Sequence, residues 1–345
     1  MSKNDLNVLK LKKKFNLDDR TFDVYNNFKT ELNKSVKLKP FLVGVSGGPD
    51  SLALTALSYI YSKEKKSKVY FALVNHNIRK SSSKEANQVK QLLKKKNIKL
   101  FILINKKQIK NNIQKKAREI RYKLLSDFCK KKKIKHILTA HHMDDQIETF
   151  LIRLSRGSGV QGLSSMKKVT KIKSNIKLIR PLLDEKKNSL INISKQAFKK
   201  FFKDPSNYND KFLRTKIRNL KKQFNKSGIQ DKQILRSIQN LANTRDTLND
   251  YINKVYKSCI LKKKEKTFIK NSPLFLESEE IQLKILSTII QSTSKSYYPP
   301  RSKKVINLLK NLKKKKNIRR TLGGCIIENI EDRTIIYKEP LFKKK

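Results

Sequence analysis

Cysteine is scarce in this 345-residue chain: Cys129, Cys259 and Cys325 lie far apart and form no CxxC pair. Neither a disulfide framework nor a cysteine zinc site is encoded by such spacing. No run approaches the ~20 consecutive apolar residues of a membrane-spanning helix, and the opening MSKNDLNVLKLKKKF has no apolar signal core. A soluble, cytoplasmic protein with no membrane partner is the expectation. Acidic residues are few, 28 against 83 Lys and Arg, and the formal charge is +55. Such a field attracts polyanions, RNA foremost. The abundance of Lys, Asn and Ile also follows from A- and T-rich codons, so charge supports nucleic-acid binding without establishing it. No internal repeat is visible, and the length exceeds one ordinary core, which predicts two or three domains.

What is present is an alternation of short apolar strands with amphipathic helices. Strands are predicted over residues 41–45, 69–74, 100–104 and 136–140, and helices after the 46–51 loop and over 83–96, 112–132 and 144–156. This order predicts an α/β domain of Rossmann-like form, a parallel sheet with helices on both faces. Beyond Gly162 a strand over 178–183, a helix over 189–202 and a DPSN turn at 204–207 are expected. Helical sequence over 212–262, broken at Ser227 and Gly228, precedes a small α+β domain with helices over 279–291 and 303–312 and strands over 325–330 and 334–337.

The string Ser46-Gly47-Gly48-Pro49-Asp50-Ser51 lies between a strand and a helix, where backbone N–H groups and the helix dipole favour an anion such as phosphate. It is not a Walker A loop, because GxxxxGK[ST] requires a lysine that is missing here. The glycines allow close backbone approach, and the hydroxyls of Ser46 and Ser51 offer donors. Asp50 would repel phosphates unless a cation intervened, so it is assigned to Mg²⁺. Three predicted strands run into polar sequence, SGGPDS, NHNIRK (with Asn75 and His76) and HHMDD. Parallel sheets bind ligands at such strand ends, which implies one shared site. In the helix that follows, Ile147, Phe150, Leu151 and Leu154 are spaced for the core, leaving Asp144, Asp145 and Glu148 on the opposing side.

SGGPDS resembles the loop of the PP-loop ATP pyrophosphatases. VNHNIRKSSSKEA, KKAREIRYKLL, TAHHMDDQIETFLIRLSRGSGVQGLSSM, IRPLL and DPSNYNDKFLRTKIR resemble, in order, the blocks of the tRNA(Ile)-lysidine synthetases, over roughly residues 41–220. TLGGCIIENI is a weaker likeness near the C-terminus. The resemblance implies ATP as substrate, with Mg²⁺, L-lysine and a tRNA(Ile) with a CAU anticodon as further partners. The wobble cytidine is adenylated on its C2 oxygen, and the lysine ε-amine then displaces AMP. The implied domains are a helical arm (1–38), the ATP-binding catalytic domain (39–220), a helical connection (221–262) and a C-terminal tRNA-binding domain (263–345).

By the same resemblance Asp145 is catalytic and Arg118 meets phosphate or the adenylated intermediate. Ser46 to Ser51, Asn75 and His76 surround ATP, and His141, Asp145, Glu148, Arg156 and Gly157 line the lysine or cytidine pocket. Several readings stay open. Asp144 also suits a helix cap, Gly157 a helix C-cap, Arg118 a surface ion pair, and the Lys211, Arg214, Arg218 and Lys221 stripe either tRNA phosphates or plain solvent. His141 and His142 beside three acids lack a zincin spacing, which favours neutral hydrogen-bonding roles for His141 and His76. A PP-loop tRNA thiolase and a non-catalytic basic RNA-binding protein are the competing functions, and a homodimer is left open.

Overall fold

The computed structural model describes residues 14–79, 81–106, 111, 113–172, 175–202, 213–296, 299–314 and 316–340. The DPSN turn and Lys211 lie outside the described residues. The chain divides into two compact units, Met1–Leu241 and Ala242–Lys345, a division that falls inside the stretch assigned above to a helical connection.

In the first unit, β1 (Phe41–Val45), β2 (Val69–Asn75), β3 (Leu100–Ile104), β4 (His136–Leu138), β5 (Val169–Lys171) and β6 (Lys177–Ile179) form one sheet of order β3-β2-β1-β4-β6-β5. All neighbours are parallel except β5, which runs antiparallel to β6. Both β2 and β3 lie to one side of β1 while β4 and β6 lie to the other, so the strand order reverses between β1 and β4. A crevice at the carboxyl ends of those two strands follows from this geometry.

Alternation along the strands decides which helix each side chain meets. Phe41, Val43 and Val45 join one core with Val24, Tyr25, Phe28 and Leu32 of α1 (Asp19–Ser35) and with α2 (Pro49–Glu64). Leu42 faces the opposite way into a second core with Leu125 and Cys129 of α4 (Ile113–Lys131). Helices therefore cover both faces, as the apolar pattern predicts. Further helices are α3 (Ser82–Lys94) and α7 (Lys187–Phe198), which join the first core, and α5 (Met143–Leu154), α6 (Val160–Leu163), α8 (Leu213–Lys226) and α9 (Asp231–Cys259). The break between α8 and α9 falls at Gly228, whose φ is +87°.

Several elements differ from expectation: helix α6, the helix Asn271–Phe275 and the strand Ile318–Leu322 have no counterpart among the expected elements, and α7 stops at Phe198. Three further differences have a plain cause. The strand expected to reach residue 183 stops at Ile179 because Pro181, which has no N–H for a ladder, opens a turn. The edge strand β5 is only three residues long and exposed along its length, so no apolar alternation announces it. Helix α9 ends at Cys259, and the polar KKKEKT region forms a hairpin, β7 (Ile260–Lys263) with β8 (Lys266–Lys270). That hairpin owes its place to the pairing of β8 with β11 (Arg333–Lys338).

The second unit continues with α10 (Asn271–Phe275), α11 (Glu279–Ser294), α12 (Ser302–Lys314), β9 (Ile318–Leu322) and β10 (Cys325–Ile330). Its antiparallel sheet has the order β7-β8-β11-β10-β9. Ile285, Ile289 and Leu309 from the helices pack against Ile269, Ile327 and Ile336 from the strands. Within that core the Asn271 amide donates to Asn329 Oδ1 at 2.6 Å, Thr334 Oγ1 donates to Asn271 Oδ1 at 2.7 Å, and the Asn329 amide donates to the Leu312 carbonyl at 3.2 Å. Removal of one member strands its partners away from water. Thr334→Val is therefore expected to cost about 1–3 kcal/mol, read as a lower denaturant midpoint; an unchanged midpoint would show that the amides re-pair.

Candidate active site

The loop after β1 is shaped by its own side chains. Ser51 Oγ accepts from the Ser46 N–H at 3.1 Å and the Ser46 hydroxyl at 3.1 Å, and donates to the Gly48 carbonyl at 3.0 Å. Its hydroxyl thus holds the loop's curvature. Gly47 has φ +82°, and a Cβ there would lie 2.6 Å from Val89 Cγ2. Its carbonyl also accepts the Phe202 N–H at 3.0 Å. Gly48 caps α2 without any side-chain bond, and Pro49 occupies the first turn. The free N–H groups of such a helix start point at an anion.

At the neighbouring strand ends, Asn75 is occupied on both sides: its amide donates to Ser83 Oγ at 3.0 Å and its Oδ1 accepts the Asn77 N–H at 2.9 Å. His76, beside it, has both ring nitrogens buried with no hydrogen-bond partner among the described residues. Burial, then the charge of Arg121, pulls its pKa to about 4. His141 follows β4, with Nδ1 2.9 Å from Thr139 Oγ1. Burial, then the charges of Arg180, Arg118 and Arg214, drives its pKa down to about 3. Burial thus favours the neutral form of both rings; of the hydrogen-bonding role expected for the two, only His141 shows a partner, Thr139, among the described residues.

His142 behaves oppositely and was not singled out by sequence. It is 3% exposed, with Nε2 3.6 Å from Asp50 Oδ2 and 3.6 Å from Asp145 Oδ2, and Nδ1 3.7 Å from Asp144 Oδ2. Burial alone would lower its pKa, but Asp50, Asp145 and Asp144 together raise it above the ordinary value. The doublet HH beside DD was the available signal; only the fold tells which ring turns toward the acids.

Helix α5 starts at Met143, one residue before the expected start, which places Asp145 at its third position. There the Asp145 carboxylate accepts the His142 N–H at 3.1 Å, the reach-back bond of a capping box. The capping role considered for Asp144 thus falls to Asp145. Burial, then repulsion from Glu148, holds the Asp145 pKa up, against the pull of His142. Asp144 pairs with Lys221 of α8, which also reaches Asp231 at 2.7 Å. Glu148 is 3% exposed and receives both Nε and Nη2 of Arg218. Ile147 and Leu151 meet Ile217 of α8 and Ile234 and Ile238 of α9, while Leu154, expected in this core, is 51% exposed.

Arg214 is exposed on α8, and its charge reaches both His141 and Asp145. Arg118 is exposed on α4, with its guanidinium carbon 5.1 Å from the Tyr122 ring centre, a cation–π contact in place of the ion pair considered for it. Arg156 and Gly157 lie past the far end of α5, eleven residues and roughly 16 Å along the axis from Asp145. Gly157 has φ +66°; its N–H bonds the Leu154 carbonyl and the Ser158 N–H bonds that of Arg153. This is a Schellman cap, and a Cβ at Gly157 would touch nothing within 4 Å. The structure therefore brings together Asp50, His142, Asp144, Asp145, Glu148 and Arg218, and leaves Arg156 and Gly157 apart from them.

A parallel α/β domain whose glycine loop and acidic helix share the switch point is the architecture of a nucleotide-using enzyme. The family profile described as a PP-loop domain matches residues 22–223. Proteins named tRNA(Ile)-lysidine synthase are similar over most of the chain. That of Wolbachia pipientis wMel is 36% identical, covering 86% of this chain and 70% of its own length. That of Orientia tsutsugamushi is 33% identical, covering 86% and 69%. Among solved structures, a U34-tRNA thiolase of Methanococcus maripaludis with its [4Fe-4S] cluster superposes with a TM-score of 0.54 at 19% identity, over 64% of this chain and 78% of that one, a likeness of fold. The chain belongs to the tRNA(Ile)-lysidine synthase family of PP-loop proteins.

Two outcomes are expected. Gly47→Ala forces a side chain into a left-handed position against Val89 and should cost about 1–3 kcal/mol, seen as a lower unfolding midpoint; an unchanged midpoint would mean the loop relaxes freely. The second concerns pH. His76 titrates near 6.5 unfolded and near 4 folded, so below 6.5 the unfolded state takes up the proton first. Its contribution is complete above 6.5 and is lost as pH falls toward 4. His76→Gln should make that loss of stability shallower, and an identical slope would rule the assignment out.

Proposed function

We propose that this chain joins L-lysine to C2 of the wobble cytidine of a tRNA(Ile) with a CAU anticodon, using ATP and yielding lysidine, AMP and pyrophosphate. The change converts a methionine-type anticodon into one read as isoleucine. Similarity to lysidine synthases across 86% of the chain is the observation that carries this reading. The chemistry is consistent with the site. The oxygen on C2 of cytosine is a poor leaving group in water, whereas AMP is a good one, so adenylation has to precede substitution.

The glycine loop and the start of α2 receive the phosphates of ATP. Asp50 suits Mg²⁺, because its Oδ1 is buried with no hydrogen-bond partner among the described residues and so offers an unused anionic ligand. The ion would offset the phosphate charge beside that carboxylate. His76, with two unpartnered ring nitrogens, offers hydrogen bonds to base or ribose.

A lysine ε-amine has an unperturbed pKa of about 10.4 and arrives protonated, so a base must take its proton. Asp145 and Glu148 are the carboxylates available. Glu148 already receives two bonds from Arg218, and Asp144 is neutralised by Lys221. Asp145 makes no such pair with a lysine or arginine among the described residues, and burial holds its pKa above that of an ordinary aspartate, which makes it a better proton acceptor than an exposed one. Of the stripe read from the sequence, Arg218 and Lys221 serve the site, and exposed Arg214 is offered to tRNA phosphate. A thiolase is not favoured: all three cysteines are buried and free, and burial lifts the Cys129 thiol to about 12.

Radiolabelled lysine should enter a tRNA(Ile) transcript only when ATP is present, with pyrophosphate released. Asp145→Asn should abolish transfer while tRNA binding, measured by filter retention, persists. Transfer at the unaltered rate would remove Asp145 from the mechanism; incorporation of sulfide instead of lysine would overturn the function.

A further inference from the structure

Arg180 follows directly on β6, whose last residue, Ile179, accepts the Thr139 N–H at the end of β4 at 3.0 Å. It therefore lies at the same carboxyl edge of the sheet as His141. Its side chain is 6% exposed, an unusual position for an arginine without a carboxylate. One nitrogen, Nη1, donates to the Lys167 carbonyl at 2.7 Å and to Thr170 Oγ1 at 3.0 Å. Its Nε is buried with no hydrogen-bond partner among the described residues. Among the described residues no acid pairs with Arg180, Arg118 or Arg214. The acids of the site cluster instead around His142 and α8, so the His141 side of the crevice is cationic and the His142 side anionic. Burial and the nearby charges of Arg118 and Arg153 disfavour the Arg180 cation, with Tyr122 opposing them, and the same field keeps His141 neutral.

A buried guanidinium with an unused N–H, beside two further arginines, lacks an anion. Lysine as a substrate brings one of each sign: an ammonium for the acidic side and an α-carboxylate. We infer that Arg180, with Arg118 beside it, binds the α-carboxylate of the amino-acid substrate at the end of β6 and sets the specificity for a free amino acid. This assignment rests on the proposed lysine transfer. It assigns Arg180 to selecting the substrate, with the proton left to Asp145. A phosphate oxygen of the nucleotide is the other anion with suitable chemistry, and the test separates the two.

The full-length protein is assayed with ATP and tRNA(Ile) transcript, using lysine and lysinamide, which keeps the amine and loses the carboxylate. The unaltered enzyme should prefer lysine by about tenfold or more in kcat/KM, because a polar site rejects a ligand that leaves its donor unpaired. Arg180→Met should raise the KM for lysine by about a hundredfold and leave lysinamide use and the KM for ATP within about twofold. Arg180→Lys should fall between. Thr170→Val, which removes one anchoring acceptor and keeps the guanidinium, should retain the lysine KM and so separates anchoring from recognition. Equal use of lysine and lysinamide by the unaltered enzyme would overturn the inference whether or not any variant folds. So would an Arg180→Met effect confined to ATP, which would make the anion a phosphate. An unaltered enzyme that transfers neither amine would refute the lysine reading itself, an outcome distinct from activity without discrimination.

Discussion

The pairing of β1 with β4 governs the rest of the site. Leu42 lies opposite Ile137 and Val43 opposite Leu138, so the loop that leaves β1 and the histidine pair that leaves β4 emerge side by side. The chain that separates them supplies β2, β3 and their helices on the other side of β1. Reversal of strand order at this one joint leaves the two exits uncovered by a crossover helix, and Asp50 and Asp145 both meet His142 there. Without that joint, residues almost a hundred positions apart would have no reason to share a crevice.

Charge at the site is segregated. Asp50, Asp144, Asp145 and Glu148 gather on one side, offset by His142, Lys221 and Arg218; Arg118, Arg180 and Arg214 lie around neutral His141. Removing a carboxylate from water is costly unless it is paired, and α8 supplies those pairs for Asp144 and Glu148. The apolar seam of Ile147, Leu151 and Ile217 fixes α8 against α5 at the register that lets Arg218 and Lys221 reach across. A basic stripe that looks like plain surface on a single helix thus contributes two of its cations to an interior acid cluster. The excess positive charge elsewhere remains available to a polyanion.

The sequence by itself determined the alternation of strands and helices in the first unit and the position of the phosphate loop, because apolar periodicity and glycine placement act over a few residues. It also led to Asp50, Asp145 and Glu148 being expected near one another at the strand ends, and the structure places Asp50 and Asp145 around His142 with Glu148 one turn further along α5. The break at Gly228, where φ is +87°, was equally local. Tertiary structure alone decided which histidine of the pair faces the carboxylates, that Glu148 takes Arg218 as its partner, and that Arg180 is buried with an unused donor. It likewise drew the polar β7 and β8 segments into a sheet through β11. Such outcomes depend on neighbours distant in sequence: ion pairing, desolvation and strand addition are set by what the fold brings within a few ångströms, and no short stretch of chain carries that information.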